Sequence, residues 1–97
     1  MAKRIPTHPG AILREDILPA LGMSVSAAAE ALGVSRQMLH RILAEKSPVT
    51  PEMAVRLGKF CGDGPGIWMR MQVNHDLAKV SAKMARLIRR IPTLSAA

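Results

Sequence analysis

The 97-residue chain is long enough for one domain, and its single cysteine, Cys61, excludes an intrachain disulfide and a cysteine-rich metal site. Its formal net charge of +7 is unevenly distributed, because residues 79–97 contain five basic residues and no acid. Such a basic segment favours an anionic partner. The N-terminus lacks the apolar run of a secretory signal, and no apolar stretch approaches the ~20 residues of a membrane span. We therefore expect a cytoplasmic protein with no membrane partner.

The segments between prolines and glycines are rich in Ala, Leu, Met and Arg and poor in β-branched and aromatic residues. This composition predicts an all-α fold. The first helix is predicted to run from Pro9 to Leu18, because Pro19 disfavours helical geometry in the residue before it. Ser24 and Ser35 stand where side-chain oxygens would cap a second and a third helix.

Residues 24–44 predict a helix-turn-helix, in which two short helices cross around a glycine turn. Gly33 is the predicted turn residue, since glycine accepts a positive φ that other residues adopt only at a cost. Small or apolar side chains fall where the two helices must touch: Ala28, Ala29 and Leu32 on the first, and Leu39, Ile42 and Leu43 on the second. A chain with this motif is expected to bind DNA.

A fourth helix is predicted to begin at Thr50-Pro51-Glu52. This sequence combines a capping hydroxyl, a proline at a favoured first position and an acid near the positive end of the helix dipole. Gly62 ends this helix, and Pro65 begins a fifth helix that buries Trp68 in the core. The pattern leaves open whether the fifth helix ends near Asn74 or continues.

Apolar residues recur at helical spacing near the C-terminus and predict a helix over residues 79–91. They are Val80, Met84, Leu87, Ile88 and Ile91. We therefore divide the chain into a helix-turn-helix domain, residues 1–78, and a basic C-terminal helical extension and tail, residues 79–97.

Four polar side chains of the predicted third helix point away from its apolar side and would enter the major groove of DNA. Arg36 and Gln37 are the predicted base-reading residues, because Arg can bind guanine and Gln can bind adenine through paired hydrogen bonds. His40 and Arg41 are further candidates for DNA contact. The predicted phosphate contacts come from the helix cap and from the turn after the helix: Ser35, Lys46 and Ser47.

An enzyme is the main alternative class, and the sequence contains little that suits catalysis. His8, His40 and His75 lie on three separate segments and lack metal-ligand spacing. Cys61 ends an apolar helix, a position that favours a small buried residue over a nucleophile. We therefore expect no enzymatic activity, no metal and no cofactor.

Four stretches carry a family pattern: HPGAILREDILPALGMS, ALGVSRQMLHRIL, VTPEMAVRLGKF and GIWMRMQ. Through them, residues 6–78 resemble the HigA family of toxin–antitoxin antidotes, a branch of the Xre-type regulators. The most specific pieces are His8-Pro9-Gly10, the stretch from Thr50 to Ala54, and Trp68 with Gln72. The chain departs from the pattern at Val25, where many Xre-type regulators have a glutamine that contacts a phosphate.

The resemblance implies a five-helix, phage-repressor-like DNA-binding domain that forms a homodimer and binds operator DNA. It also implies repression of the chain's own operon and neutralisation of a co-encoded toxin, usually an mRNA-cleaving ribonuclease of the RelE-like class. The alternative is a stand-alone Xre-type transcriptional repressor without a toxin partner. Three roles stay open for the basic extension: a dimer helix, a DNA phosphate contact or a toxin contact. Two candidates for the dimer interface stay open: the C-terminal apolar stripe and the first helix.

Overall fold

The structure, a computed structural model, describes residues 5–95. These residues form five α-helices and a short 3-10 helix, with no β-strand in the described range. The first helix, α1, is continuous through three stretches, Pro9–Ile12, Leu13–Ile17 and Leu18–Leu21. The others are α2 (Val25–Leu32), α3 (Arg36–Leu43), α4 (Pro51–Cys61), α5 (Pro65–Lys83) and the 3-10 helix Leu87–Arg90. The predicted all-α fold is confirmed.

The middle of α1 is a π-helical turn, which explains how the helix passes Pro19. Proline has no N–H, and its ring clashes with the carbonyl four residues earlier, so it normally ends a regular helix. In the wider turn Leu13–Ile17, the N–H of Leu18 instead bonds to the carbonyl five residues back. The prediction that the first helix ends at Leu18 is therefore wrong. The helix continues to Leu21 and ends at Gly22, where φ is +62°.

The predicted helix caps are present. Ser24, Ser35 and Thr50 each accept a hydrogen bond from the backbone N–H three residues ahead, at 3.0–3.2 Å. Gly33 and Gly62 end α2 and α4 with φ values of +72° and +80°. Local side-chain chemistry therefore determines where α2 begins and ends, and where α3 begins.

The core lies where α2 and α3 cross, and α1, α4 and α5 close it. Ala28 and Ala29 are fully buried, and their small side chains allow the two helices a close approach. The predicted contact residues of both helices are buried in one cluster with residues of the neighbouring segments: Leu13, Leu18, Val49, Met53, Leu57 and Trp68. Trp68 is 1% exposed and its Nε1 donates to Asp63 Oδ1 at 3.0 Å, so its predicted core position is confirmed.

The start of α1 lies directly against the end of α3. Gly10 packs so closely on α3 that a Cβ atom there would overlap the Ile42 carbonyl oxygen. The buried His8 caps α1, because its Nδ1 accepts a hydrogen bond from the Gly10 N–H at 2.9 Å. Backbone contact with α1 therefore fixes the helix that carries the predicted base-reading residues.

The second half of α5 leaves the core. All buried residues of α5 lie in its first half, and residues 73–95 contain none. The helix continues to Lys83, across the division drawn at residue 78. The helix predicted over residues 79–91 is α-helical to Lys83 and then, after a turn, 3-10-helical over Leu87–Arg90. The molecule is elongated as a result, measuring 54 × 28 × 23 Å.

Candidate nucleic-acid interface

The two sides of α3 differ in burial. The side that faces α2 carries the buried residues Leu39, Ile42 and Leu43. The opposite side presents the four predicted DNA-contacting residues of the helix, all of them exposed: Arg36, Gln37, His40 and Arg41. Because the apolar side is fixed in the core, the polar side is held at the surface as one rigid unit.

The N-terminal ends of α2 and α3 meet at an open concave surface. It is lined by Ser26 from α2 and by Ser35, Arg36, Gln37 and His40 at the start of α3. The structure therefore brings three kinds of predicted contact together: a helix cap, two base-reading residues and a histidine. Sequence reasoning missed Ser26. Its position in the first turn of α2 is the signal that could have identified it, because the helix crossing brings that turn beside α3.

The turn after α3 holds the two remaining predicted residues. Lys46 is exposed, and the Ser47 Oγ accepts a hydrogen bond from Arg41 Nε at 3.0 Å. This bond uses one of the five guanidinium donors, so Arg41 keeps donors for an anion. The backbone N–H groups of Lys46 and Ser47 both bond to the Arg41 carbonyl, at 2.9 and 3.2 Å. The turn is closed by Glu45, which adopts a left-handed φ of +62°.

Two arginines outside the motif satisfy carbonyls at the C-terminal ends of its helices. The last carbonyls of a helix have no partner inside the helix. Arg14 Nη1 donates to the Leu43 carbonyl at 2.6 Å and to Glu45 Oε2 at 3.2 Å. Arg56 Nη1 donates to the Leu32 carbonyl at 2.9 Å. Sequence reasoning missed both contacts, because the arginines lie 29 and 24 residues from these carbonyls.

Gln72 links α5 to the loop that follows α3. Its Oε1 accepts a hydrogen bond from the Val49 N–H at 2.8 Å, and its Nε2 donates to Asp76 Oδ1 at 3.0 Å. Gln72 is only 4% exposed, so its amide oxygen replaces water as the partner of a buried backbone N–H. Gln72 therefore holds the loop between α3 and α4 against α5.

The fold brings two of the three histidines together. The rings of His8 and His75 pack edge to face with centroids 5.0 Å apart, and His75 Nδ1 lies 2.7 Å from the Pro6 carbonyl oxygen. Burial, and then the neighbouring His75, lower the pKa of His8. A neutral ring also suits the hydrogen bond from Gly10, because only an unprotonated Nδ1 can accept it. His8 is therefore a structural cap.

The described part of the chain gives little support for a metal site, a nucleophilic cysteine or a membrane-spanning helix. Residues 5–95 contain no group of three or more His, Cys, Asp or Glu that could hold a metal ion. Burial, and then the nearby Asp63, raise the pKa of the Cys61 thiol, whereas an activated nucleophile needs a lowered pKa. Within the same residues, none of the helices combines the length and the apolar character that crossing a bilayer requires.

A family model described as helix-turn-helix matches residues 13–65, more than half of the chain. This chain belongs to the helix-turn-helix family. Virulence-associated protein I of Dichelobacter nodosus is 40% identical over 72% of the chain, which spans 65% of that relative's length. Antitoxin HigA-1 of Vibrio cholerae serotype O1 is 31% identical over 77% of this chain and 70% of its own. The structure of the Pseudomonas aeruginosa antitoxin HigA with the higBA promoter is similar, with a TM-score of 0.87 and 34% identity over 93% of this chain and 99% of that chain.

These matches confirm the resemblance to the HigA branch of the Xre-type helix-turn-helix proteins. They also confirm the predicted architecture, because the HigA structure superposes over nearly the whole chain. The helix-turn-helix family consists of DNA-binding proteins, which confirms the expectation that the chain is not an enzyme.

Proposed function

We propose that this chain binds operator DNA as a homodimer, represses its own operon and neutralises a co-encoded toxin. The observation that carries the proposal is the amphipathic α3, whose polar side is exposed while its apolar side is fixed in the core. The major groove of DNA is wide enough to admit such a helix. The Pseudomonas aeruginosa HigA, whose structure contains promoter DNA, supports the same use of this fold.

In this proposal α3 is the recognition helix, and its first turn reads bases. Arg36 binds O6 and N7 of a guanine, and Gln37 binds N6 and N7 of an adenine. His40, one turn further along the same concave surface, contacts the neighbouring base or sugar. These contacts provide sequence specificity.

The phosphate contacts flank the recognition helix. Ser35 and the unpaired N–H groups at the start of α3 bind one phosphate. Lys46 and the Ser47–Arg41 pair bind the backbone after the helix, and the Ser47 hydroxyl holds the Arg41 guanidinium in a fixed direction. These contacts set the register of the protein on DNA without adding sequence specificity.

The proposed toxin partner is an mRNA-cleaving ribonuclease of the RelE-like class, and both complexes form in the cytoplasm. The relative named antitoxin HigA-1 and the HigA structure support this assignment. The alternative is a stand-alone repressor, which would use the same recognition helix without a toxin.

The experiment that tests the toxin assignment is affinity purification of the tagged chain from its own host, with mass spectrometry of the proteins that copurify. We expect a small protein in near-stoichiometric amount that stops growth when expressed alone and is harmless when this chain is coexpressed. A matched purification with the Arg36→Ala variant is expected to lose promoter DNA but retain the toxin. Recovery of promoter DNA and the chain alone would overturn the antitoxin assignment and favour the stand-alone repressor.

A further inference from the structure

Helix α3 carries one large apolar side chain that the core does not cover. Met38 is 48% exposed, whereas the other apolar residues of the helix, Leu39, Ile42 and Leu43, are 1–6% exposed. The four remaining residues of α3 are polar. Single exposed apolar side chains are common on protein surfaces. Met38, however, lies in the first turn of the helix proposed to enter the major groove, so its partner there bears on base recognition.

Met38 lies on the side of α3 that faces the start of α4. Successive residues of an α-helix are about 100° apart, so Arg36 and Met38 flank Gln37 on opposite sides. Arg36 lines the concave surface beside α2, and Met38 lines a hollow beside the start of α4. The Met38 N–H donates to Ser35 Oγ at 3.0 Å, so the helix cap fixes the backbone from which the side chain extends. The base-reading turn therefore has an apolar side as well as a polar one.

The hollow beside Met38 leaves about half of the side chain in solvent. It is lined mainly by apolar residues: Val34, Ile42, Pro48 and Met53. Thr50 and the ion pair between Glu52 and Arg56 complete the lining. Methionine is unbranched and has three rotatable bonds, so its thioether can turn from this hollow towards a ligand without a change in the backbone. The position therefore combines a fixed backbone with an adaptable apolar side chain.

The chemistry of methionine selects one base as its partner. The thioether has no hydrogen-bond donor and is only a weak acceptor, so it cannot use the hydrogen-bonding pattern by which Arg and Gln distinguish guanine and adenine. Thymine is the one standard base that presents an apolar group, its C5 methyl, in the major groove. Contact with that methyl group removes apolar surface of both partners from water. An apolar side chain in the base-reading turn therefore favours a thymine.

We propose that Met38 is a specificity-determining residue that binds the C5 methyl group of an operator thymine, within one base-pair step of the adenine assigned to Gln37. The proposal rests on the operator recognition by α3 proposed above, and it adds an apolar contact to the polar contacts of Arg36 and Gln37. Loss of the methyl group should weaken binding about three- to fivefold in each half-site, the factor that corresponds to exposing one buried carbon group.

Replacement of thymine by deoxyuridine tests this contact, because deoxyuridine lacks only the C5 methyl and keeps both the O4 acceptor and the pairing with adenine. Each thymine of the operator upstream of the chain's own gene is replaced in turn, and fluorescence anisotropy measures the Kd for each duplex. For the wild-type chain, we expect a loss of about three- to fivefold at one thymine of each half-site.

Variants at position 38 assign that loss to the methionine. In Met38→Ala, the Kd should no longer change when this thymine becomes deoxyuridine, because no long apolar side chain reaches the methyl group. Met38→Leu keeps an apolar side chain and should retain the loss. Val55→Ala is the matched control, since Val55 is an apolar residue of α4 that is 59% exposed and does not line the hollow. This control should respond to deoxyuridine as the wild-type chain does.

A second measurement separates the methyl group from the rest of the base. The thymine is replaced by cytosine or by 5-methylcytosine, which carries a methyl group at the same ring position. We expect the wild-type chain to bind the 5-methylcytosine duplex about three- to fivefold more tightly than the cytosine duplex. Met38→Ala should bind these two duplexes with equal affinity, because the only difference between them is the methyl group.

Three results would overturn the role of Met38 while leaving operator recognition intact. The first is specific binding by the wild-type chain that no deoxyuridine replacement weakens. The second is a deoxyuridine loss that persists unchanged in Met38→Ala, which would assign the methyl contact to another residue. The third is a Met38→Ala variant that loses affinity equally for the operator and for a shuffled duplex, which would make Met38 a cover for the hollow. Equal affinity of the wild-type chain for both duplexes would instead contradict the proposed function itself.

Discussion

Arg36 is the side chain on which the proposed sequence specificity depends most. It is exposed at the first position of α3, where a guanidinium can bind one guanine through two hydrogen bonds. We predict that Arg36→Ala weakens operator binding by about 1–3 kcal/mol and relaxes the preference at one base position. Competition with operators that carry each of the four bases at every position measures this effect.

Lys46→Ala is the matched control, because Lys46 is also exposed but is assigned to a phosphate. This variant should weaken binding to all sequences alike and reduce the slope of log K against log salt by about one. An Arg36→Ala variant with the affinity and base preference of the wild type would show that Arg36 does not read a base.

Gly10 is fixed by the contact between α1 and α3. In Gly10→Ala, the added Cβ would overlap the Ile42 carbonyl oxygen. Because that oxygen belongs to the backbone of α3, the overlap is relieved only if α1 and α3 move apart. We predict a loss of about 1–3 kcal/mol in the free energy of unfolding. Gly66→Ala is the control, because its Cβ meets only the flexible guanidinium of Arg70. Urea unfolding of both variants measures the difference, and equal stabilities would contradict the close approach.

His8 makes stability depend on pH in a predictable direction. Burial lowers the pKa of His8 below its ordinary value of 6.5, so the unfolded chain binds the proton more readily than the folded chain. The stabilisation is therefore complete above pH 6.5 and is lost as the pH falls below that value. Protonation also removes the acceptor for the Gly10 N–H.

The variant His8→Asn isolates this effect, because asparagine can cap a helix but does not titrate. Its free energy of unfolding should change less between pH 7.5 and pH 5.5 than that of the wild type. These two pH values bracket the ordinary pKa of histidine at about 6.5. His40→Asn, at an exposed position on α3, should follow the wild-type curve. Parallel curves for the wild type and His8→Asn would show that another group causes the dependence.

At the scale of the helices, the sequence predicted those ends that local chemistry determines. Ser24, Ser35 and Thr50 cap helices as expected, and Gly33 and Gly62 end them. Each of these features involves residues within a single helical turn. Periodicity likewise identified the buried sides of α2 and α3, because one face of each short helix packs against the other.

Features that depend on distant residues could not be predicted. Sequence rules end a helix before a proline, but the π turn in α1 allows the helix to continue past Pro19. Arg14 and Arg56 bond to carbonyls of helices that adjoin them only in the folded chain. The helix-turn-helix pattern predicted where the candidate site lies. It did not predict Ser26, which lines the site because α2 crosses α3.

Gln72 connects α5 to the loop that follows α3, so its replacement should weaken the contact between these two elements. In Gln72→Met, the buried N–H of Val49 loses its partner at 2.8 Å, which we expect to cost about 1–3 kcal/mol of stability. Asp76→Ala removes the exposed partner of the amide Nε2, and we expect a smaller loss of about 0.5–1 kcal/mol. Thermal unfolding compares the two, and an unchanged Gln72→Met would mean that water replaces the amide.

On the scale of the whole molecule, the proposed recognition surface is the exposed side of α3. A two-fold dimer presents two recognition helices, and these fit successive turns of one DNA face when they lie about 34–36 Å apart. The operator is therefore expected to be an inverted repeat with half-sites one helical turn apart.

Operator binding is tested most directly by an affinity measurement on DNA from upstream of the chain's own gene. Fluorescence anisotropy would compare that duplex with a shuffled duplex of equal composition at several salt concentrations. We predict binding to the upstream duplex at least about 1,000-fold tighter than to the shuffled one, with log K falling linearly as log salt rises. Equal affinity for both duplexes, or binding that does not respond to salt, would contradict recognition of operator DNA by α3.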